Sequence, residues 1–114
     1  MSELNNATVK MVANALAGSF YGATVQNVLA SRAIGVTYTN TSWRPIIVII
    51  NASGVINGAH DLAVNVNGAI IMQERFSNLD EWRTVVFFVP AGATYVSYGV
   101  GADPNISKWH EVRL

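Results

Sequence analysis

The chain has 114 residues, of which 51% are hydrophobic and 12% charged; it has no cysteine, and seven basic residues balance seven acidic ones. That length fits one compact domain, and the absence of cysteine excludes a disulfide framework, a thiolate metal site and a cysteine nucleophile. No basic run offers a footprint for nucleic acid or an anionic membrane, and so few charges imply that part of the outer surface is covered by something other than water.

In chain order, Met1 to Lys10 lacks a basic region followed by an apolar one, so no secretory signal is expected. From Ser2 to Ala17 the apolar Leu4, Met11, Val12, Ala15 and Leu16 fall near helical spacing, with Ser2 and Glu3 as a capping region and Gly18 as a stop. This predicts a short amphipathic helix, and residues 1–23 are expected either to dock or trimerise the domain that follows or to pack on that domain itself. No wholly apolar run is longer than that from Ile46 to Ile50, which is far too short to span a membrane as a helix.

From Thr24 onward the vocabulary changes to Val, Ile, Thr, Tyr and Phe, interrupted by Gly, Pro, Asn and Asp. Strands are expected at Thr24–Val28, Val36–Asn40, Ile46–Ala52, Asp61–Val66, Ala69–Glu74, Thr84–Val89, Thr94–Gly99 and Lys108–Arg113. Asn67-Gly68 is the sharpest turn signal, because both residues tolerate the positive φ of a two-residue hairpin loop; Pro90-Ala91-Gly92 and the stretch from Gly99 to Pro104 read as further turns. Eight short strands imply an all-β antiparallel sandwich of jelly-roll type over residues 24–114, preceded by the N-terminal helix.

Periodicity separates two kinds of strand. In Asp61–Val66, apolar Leu62, Val64 and Val66 alternate with Asp61, Ala63 and Asn65, as when one face meets a core and the other does not. In Ile46–Ile50 and Val85–Val89 both faces are apolar. A small sandwich buries one face per sheet, so the other face needs the N-terminal helix, a long loop or another subunit. Ile47, Ile49, Val86 and Phe88 are the candidate oligomer contacts, with the opposite phase as the alternative.

Catalytic signatures are missing. There is no Gly-x-Ser-x-Gly elbow, and Gly99-Val100-Gly101 lacks the helix and Lys-Ser/Thr of a phosphate loop. His60 and His110 each adjoin an acid, but neighbours on a strand point to opposite faces, so neither couplet is a ready metal or acid–base pair. A small hydrolase using His60 or His110 is the enzyme rival; no catalytic residue, metal or cofactor is expected. Trp43 with Arg44 and Trp82 with Arg83 read as loop aromatics beside a cation and are the candidate ligand-binding residues, the competing reading being that each Trp folds back over its own sandwich or fills a subunit contact; Trp109 reads as packed, with Lys108 and His110 facing away.

Several segments, taken together, resemble a known family. Val28-Leu29-Ala30-Ser31-Arg32-Ala33-Ile34-Gly35-Val36-Thr37-Tyr38-Thr39-Asn40-Thr41 with Arg44-Pro45-Ile46 resembles the opening of the β-sandwich modules that end tailed-bacteriophage tail-fibre and tail-tip proteins. Val64-Asn65-Val66-Asn67-Gly68, Phe88-Val89-Pro90-Ala91-Gly92-Ala93-Thr94-Tyr95 and Trp109-His110-Glu111-Val112-Arg113 resemble the family's central hairpin, turn and closing strand. Ser42-Trp43 and the charged, aromatic stretch Phe76–Arg83 depart from the pattern, so loop specificity does not carry over.

The resemblance implies a homotrimeric virion component, made in the bacterial cytoplasm, without enzyme activity, with other virion proteins and a host surface glycan or protein as partners. Nucleic acid and membrane insertion are not implied. A capsid decoration protein and a free, lectin-like carbohydrate-binding module are the alternatives.

Overall fold

The structure is a computed structural model, and it describes residues 23–114. The expected helix over Ser2–Ala17 lies outside the described residues. Within them, eight strands follow one another: β1 (Thr24–Asn27), β2 (Tyr38–Thr39), β3 (Ile46–Ser53), β4 (His60–Val66), β5 (Ala69–Phe76), β6 (Trp82–Val89), β7 (Thr94–Val100) and β8 (Asn105–Arg113), with one 3₁₀ turn at Leu29–Ser31. They form two four-stranded antiparallel sheets, sheet A in the order β1-β8-β3-β6 and sheet B in the order β2-β7-β4-β5. That order, with strands crossing repeatedly between the sheets, is the jelly-roll sandwich expected from the strand count.

The core lies between the sheets and is built by alternation. Ile46, Val48, Ile50 and Ala52 of β3 point inward with Val85, Phe87 and Val89 of β6 and Trp109 of β8, and meet Leu62, Val64, Tyr95 and Phe76 from sheet B. Tyr95 sits among aromatics, with ring centres 5.6 Å from Phe87 and 5.8 Å from Tyr38, in tilted to edge-on geometries that favour aromatic pairs. Trp109 is buried, as its strand position implies.

β4 is less one-sided than its alternation suggests, since Asp61 and Ala63 on its outer face are buried as well. Asp61 accepts hydrogen bonds from Arg75 Nε at 2.8 Å and Gln73 Nε2 at 2.6 Å on the neighbouring β5, which cover it. These donors hold the Asp61 carboxyl below its ordinary pKa.

One turn depends on backbone freedom. Asn67 (φ 51°) and Gly68 (φ 80°) are both left-handed and join β4 to β5 as the Asn-Gly pair predicts. Strand β7 ends at Val100, one residue beyond the end expected at Gly99. Gly99 is there for space: a Cβ on it would lie 2.6 Å from the Cα of Asp103, and closer still to the carbonyl oxygen of Ala102, in the connection that follows.

A polar tie crosses the core. Glu111 of β8, almost wholly buried, accepts from Arg32 Nε at 3.0 Å and Arg32 Nη2 at 3.1 Å, and from the Tyr95 hydroxyl of β7 and the Arg113 guanidinium. Burial pushes the Glu111 carboxyl up, but the bonds from Arg32 and Tyr95 and the charges of Arg32 and Arg113 outweigh it and hold its pKa below the ordinary value. Burial and the same bond to Glu111 push the Tyr95 hydroxyl up. Arg32, also 4.5 Å above the Tyr38 ring, thereby fastens the β1–β2 connection over the side of the sandwich.

Candidate functional site

The best-organised exposed feature is the connection between β2 and β3, and its centre is Asn40. The Asn40 side chain is buried; its Nδ2 donates to the carbonyls of Arg44 (2.8 Å) and Val89 (3.1 Å), and its Oδ1 accepts from the Ser42 amide at 3.1 Å. The Ser42 hydroxyl lies 2.7 Å from Asn40 Oδ1 and 2.8 Å from the Arg44 carbonyl. Asn40 also shares two backbone bonds with the β6–β7 turn, to Gly92 and Ala93. An Asx-type arrangement of this kind replaces the sheet ladder with side-chain bonds and fixes the loop in one shape.

Held in that way, the loop projects Trp43 into solvent, where it is 79% exposed. The Arg44 guanidinium carbon sits 4.1 Å from the Trp43 ring centre, a cation–π contact that orients the indole. Trp43 therefore does not fold back over its own sandwich. It is a positioned aromatic plate with a cation beside it.

Trp82 and Arg83 belong elsewhere, which corrects their reading as a loop pair: they are the first two residues of β6. The strand starts earlier than expected because the turn ends at Asp80, which takes a positive φ of 62°. Ile46 pairs with Val89 and Ser53 with Trp82, so Trp43 and Trp82 lie toward opposite ends of β3, separated along it by about 23 Å. They are not one site. Arg83 bonds Glu81 at 3.1 Å and reaches toward the Phe76 ring.

Ile47, Ile49, Val86 and Phe88 do share one surface, the outer face of sheet A. Ile47 is directly opposite Phe88, and Ile49 opposite Val86. On the other side of β3, Ile47 faces Val112, which in turn faces Val25 of β1. Ile47 is nearly buried between these neighbours, while Val25, Val86 and Phe88 stand exposed. Trp82 occupies the same outward row of β6 as Thr84, Val86 and Phe88.

The two histidines are apart in the fold. His60 is buried against Phe76, its ring centre 5.2 Å away; its Nδ1 donates to the Gly58 carbonyl and its Nε2 accepts from the Val55 amide. His110 faces outward on sheet A opposite Ile49. Among the described residues, no three His, Asp or Glu side chains come together in a way that would hold a metal ion.

Asn40 is the site residue that sequence reasoning overlooked. Its signal is the run Asn40-Thr41-Ser42, an Asn followed two residues later by a small hydroxyl before a strand, the pattern of an Asx turn.

No family model and no curated protein matches this chain. Among solved structures, it is similar to a family 35 carbohydrate binding module from Clostridium thermocellum, at 15% identity over 81% of this chain and 88% of that one, with a TM-score of 0.45. It is also similar to a family 35 carbohydrate binding module from an environmental isolate, at 22% identity over 71% of this chain and 66% of the other, with a TM-score of 0.36.

Proposed function

We propose that this chain is a non-catalytic carbohydrate-binding module whose contact is the loop of residues 40–45. The observation that carries the reading is the Trp43–Arg44 pair: an indole 79% exposed, with a guanidinium held 4.1 Å from its ring centre. Sugars offer an apolar C–H face and a rim of hydroxyls; the free indole face matches the first, and Arg44 supplies donors for the second. Because Asn40 and Ser42 fix the loop before any ligand arrives, little ordering cost is left to binding.

Titration of the purified protein against a panel of immobilised glycans tests this. Binding to at least one glycan, weakened tenfold or more by Trp43→Ala and left in place by Trp82→Ala, supports it. A panel with no binder, or binding indifferent to Trp43→Ala, refutes it.

A second reading places the module in a phage particle as an attachment or decoration component. It is favoured by the apolar outer face of sheet A, because a surface of this kind is normally covered in an assembly, and by the segments that resemble tail-fibre modules. Antibody labelling of particles tests it: label on tail tips or heads supports it, and label confined to free protein removes it.

A further inference from the structure

Four strand edges end the two sheets, and they differ in how they are guarded. β2 has only two residues and β1 only four. β5 carries Gln73, Glu74 and Arg75, and its pairing with β4 shifts register at Val64/Asn65. Short edges, charges and bulges all discourage a foreign strand from adding to a sheet. β6 is the least guarded: it runs eight residues, pairs with β3 without a register shift, and after Arg83 at its start carries neither charge nor proline from Thr84 to Val89. Among the described residues, no strand pairs with its outer side.

The same strand carries the chain's most exposed apolar row on a sheet. Trp82 (54%), Val86 (42%) and Phe88 (53%) project from one face with Thr84 between them. The row is close to symmetric about Val85: an aromatic at each end, Thr84 and Val86 within. We propose that β6 is the contact between two copies of this chain, which pair antiparallel about Val85 so that sheet A of one continues into sheet A of the other. In that register Trp82 stands opposite the second copy's Phe88, and Thr84 opposite its Val86, on the outer face. Arg83 meets Phe87, so no like charges face each other. Cross-strand aromatic and β-branched pairs are those that stabilise antiparallel ladders.

Edge pairing covers the strand edge and the flanks of Trp82, Val86 and Phe88 rather than their outer faces, so the contact is a small one, held by backbone hydrogen bonds and the cross-strand pairs. Because the two copies use one patch, the assembly closes at two. A three-fold particle, implied by the likeness to tail-fibre modules, needs a different contact.

The inference stands apart from the glycan reading, since Trp43 lies toward the other end of β3 from Trp82. Light scattering on the wild-type chain is expected to give twice the mass of one chain at high protein concentration. Val86→Lys, with an unchanged far-UV dichroism spectrum, is expected to give a single-chain mass. The register is read by exploiting the absence of cysteine. Thr84→Cys and Val86→Cys proteins, mixed and oxidised, are expected to form the mixed cross-linked dimer in preference to either like pair. A wild-type mass of one or three chains overturns the proposal, as does a dimer that survives Val86→Lys. Cross-linking of either cysteine variant to itself in preference to the mixed pair overturns the register about Val85.

Discussion

The Tyr95 hydroxyl, on β7 of one sheet, donates to the carboxylate of Glu111, on β8 of the other, and Arg32 closes the same carboxylate from the β1–β2 connection 79 residues earlier. One buried acid thus ties both sheets and a loop. Its folded pKa lies below the ordinary value of 4.5, so the unfolded chain binds the proton more readily. The stabilisation is therefore present above that value and is lost as pH falls below it through the folded pKa. Melting temperatures followed downward from pH 7 should drop below pH 4.5 in the wild type. Glu111→Gln should be less stable at pH 7 by about 2 kcal/mol, because Arg32 and Arg113 still reach solvent, and should lose less on acidification.

The two faces of β3 are predicted to differ in energy although their residues look alike. Ile50 is fully buried in the core, and Ile50→Ala should cost about 3 kcal/mol in urea unfolding. Ile49 faces outward, and Ile49→Ala should cost about 1 kcal/mol in dilute protein. Equal costs would mean that the outer face is packed within a single chain.

Two glycines should respond differently to alanine. At Gly68 an added methyl would meet nothing within 4 Å, so Gly68→Ala carries only the strain of its positive φ, about 1 kcal/mol. At Gly99 the added carbon would meet backbone at 2.6 Å and nearer, so Gly99→Ala should cost more and shift the amide resonances of residues 101–103.

Asn40→Ala leaves Trp43 and Arg44 in place chemically but removes the bonds that shape their loop. Glycan affinity should fall several-fold even after correction for unfolded protein, since the loop must then be ordered on binding. Asn40→Asp keeps the acceptor for Ser42 but sets a buried carboxylate oxygen against the carbonyls of Arg44 and Val89, and should fall at least as far as Asn40→Ala.

Much of this fold is legible in the residues. The two-residue repeat of a strand divides Ile46–Ile50 and Val85–Val89 into two sets, but both sets are apolar and the residues alone leave open which one meets the core; Asn67-Gly68 does mark its hairpin, because that signal is local. Trp82 reads as a loop residue because Asp80, Glu81 and Arg83 carry the polarity of a loop, while the strand begins shortly after the left-handed Asp80. The Arg32–Glu111 pair and the bond from Asn40 to Val89 join residues far apart in the chain, and no spacing rule reports such contacts. For the same reason the two Trp-Arg couplets look equivalent in sequence, although only one is aimed outward on a fixed loop.

The three indole N–H signals of the tryptophans give the most direct test of the central reading, that the module binds sugar at Trp43. In a two-dimensional NMR titration with a glycan that the protein retains, the Trp43 indole signal should move with saturation while those of Trp109, in the core, and Trp82, on the β6 face, stay in place. A Trp43 signal unmoved at saturating glycan would contradict it.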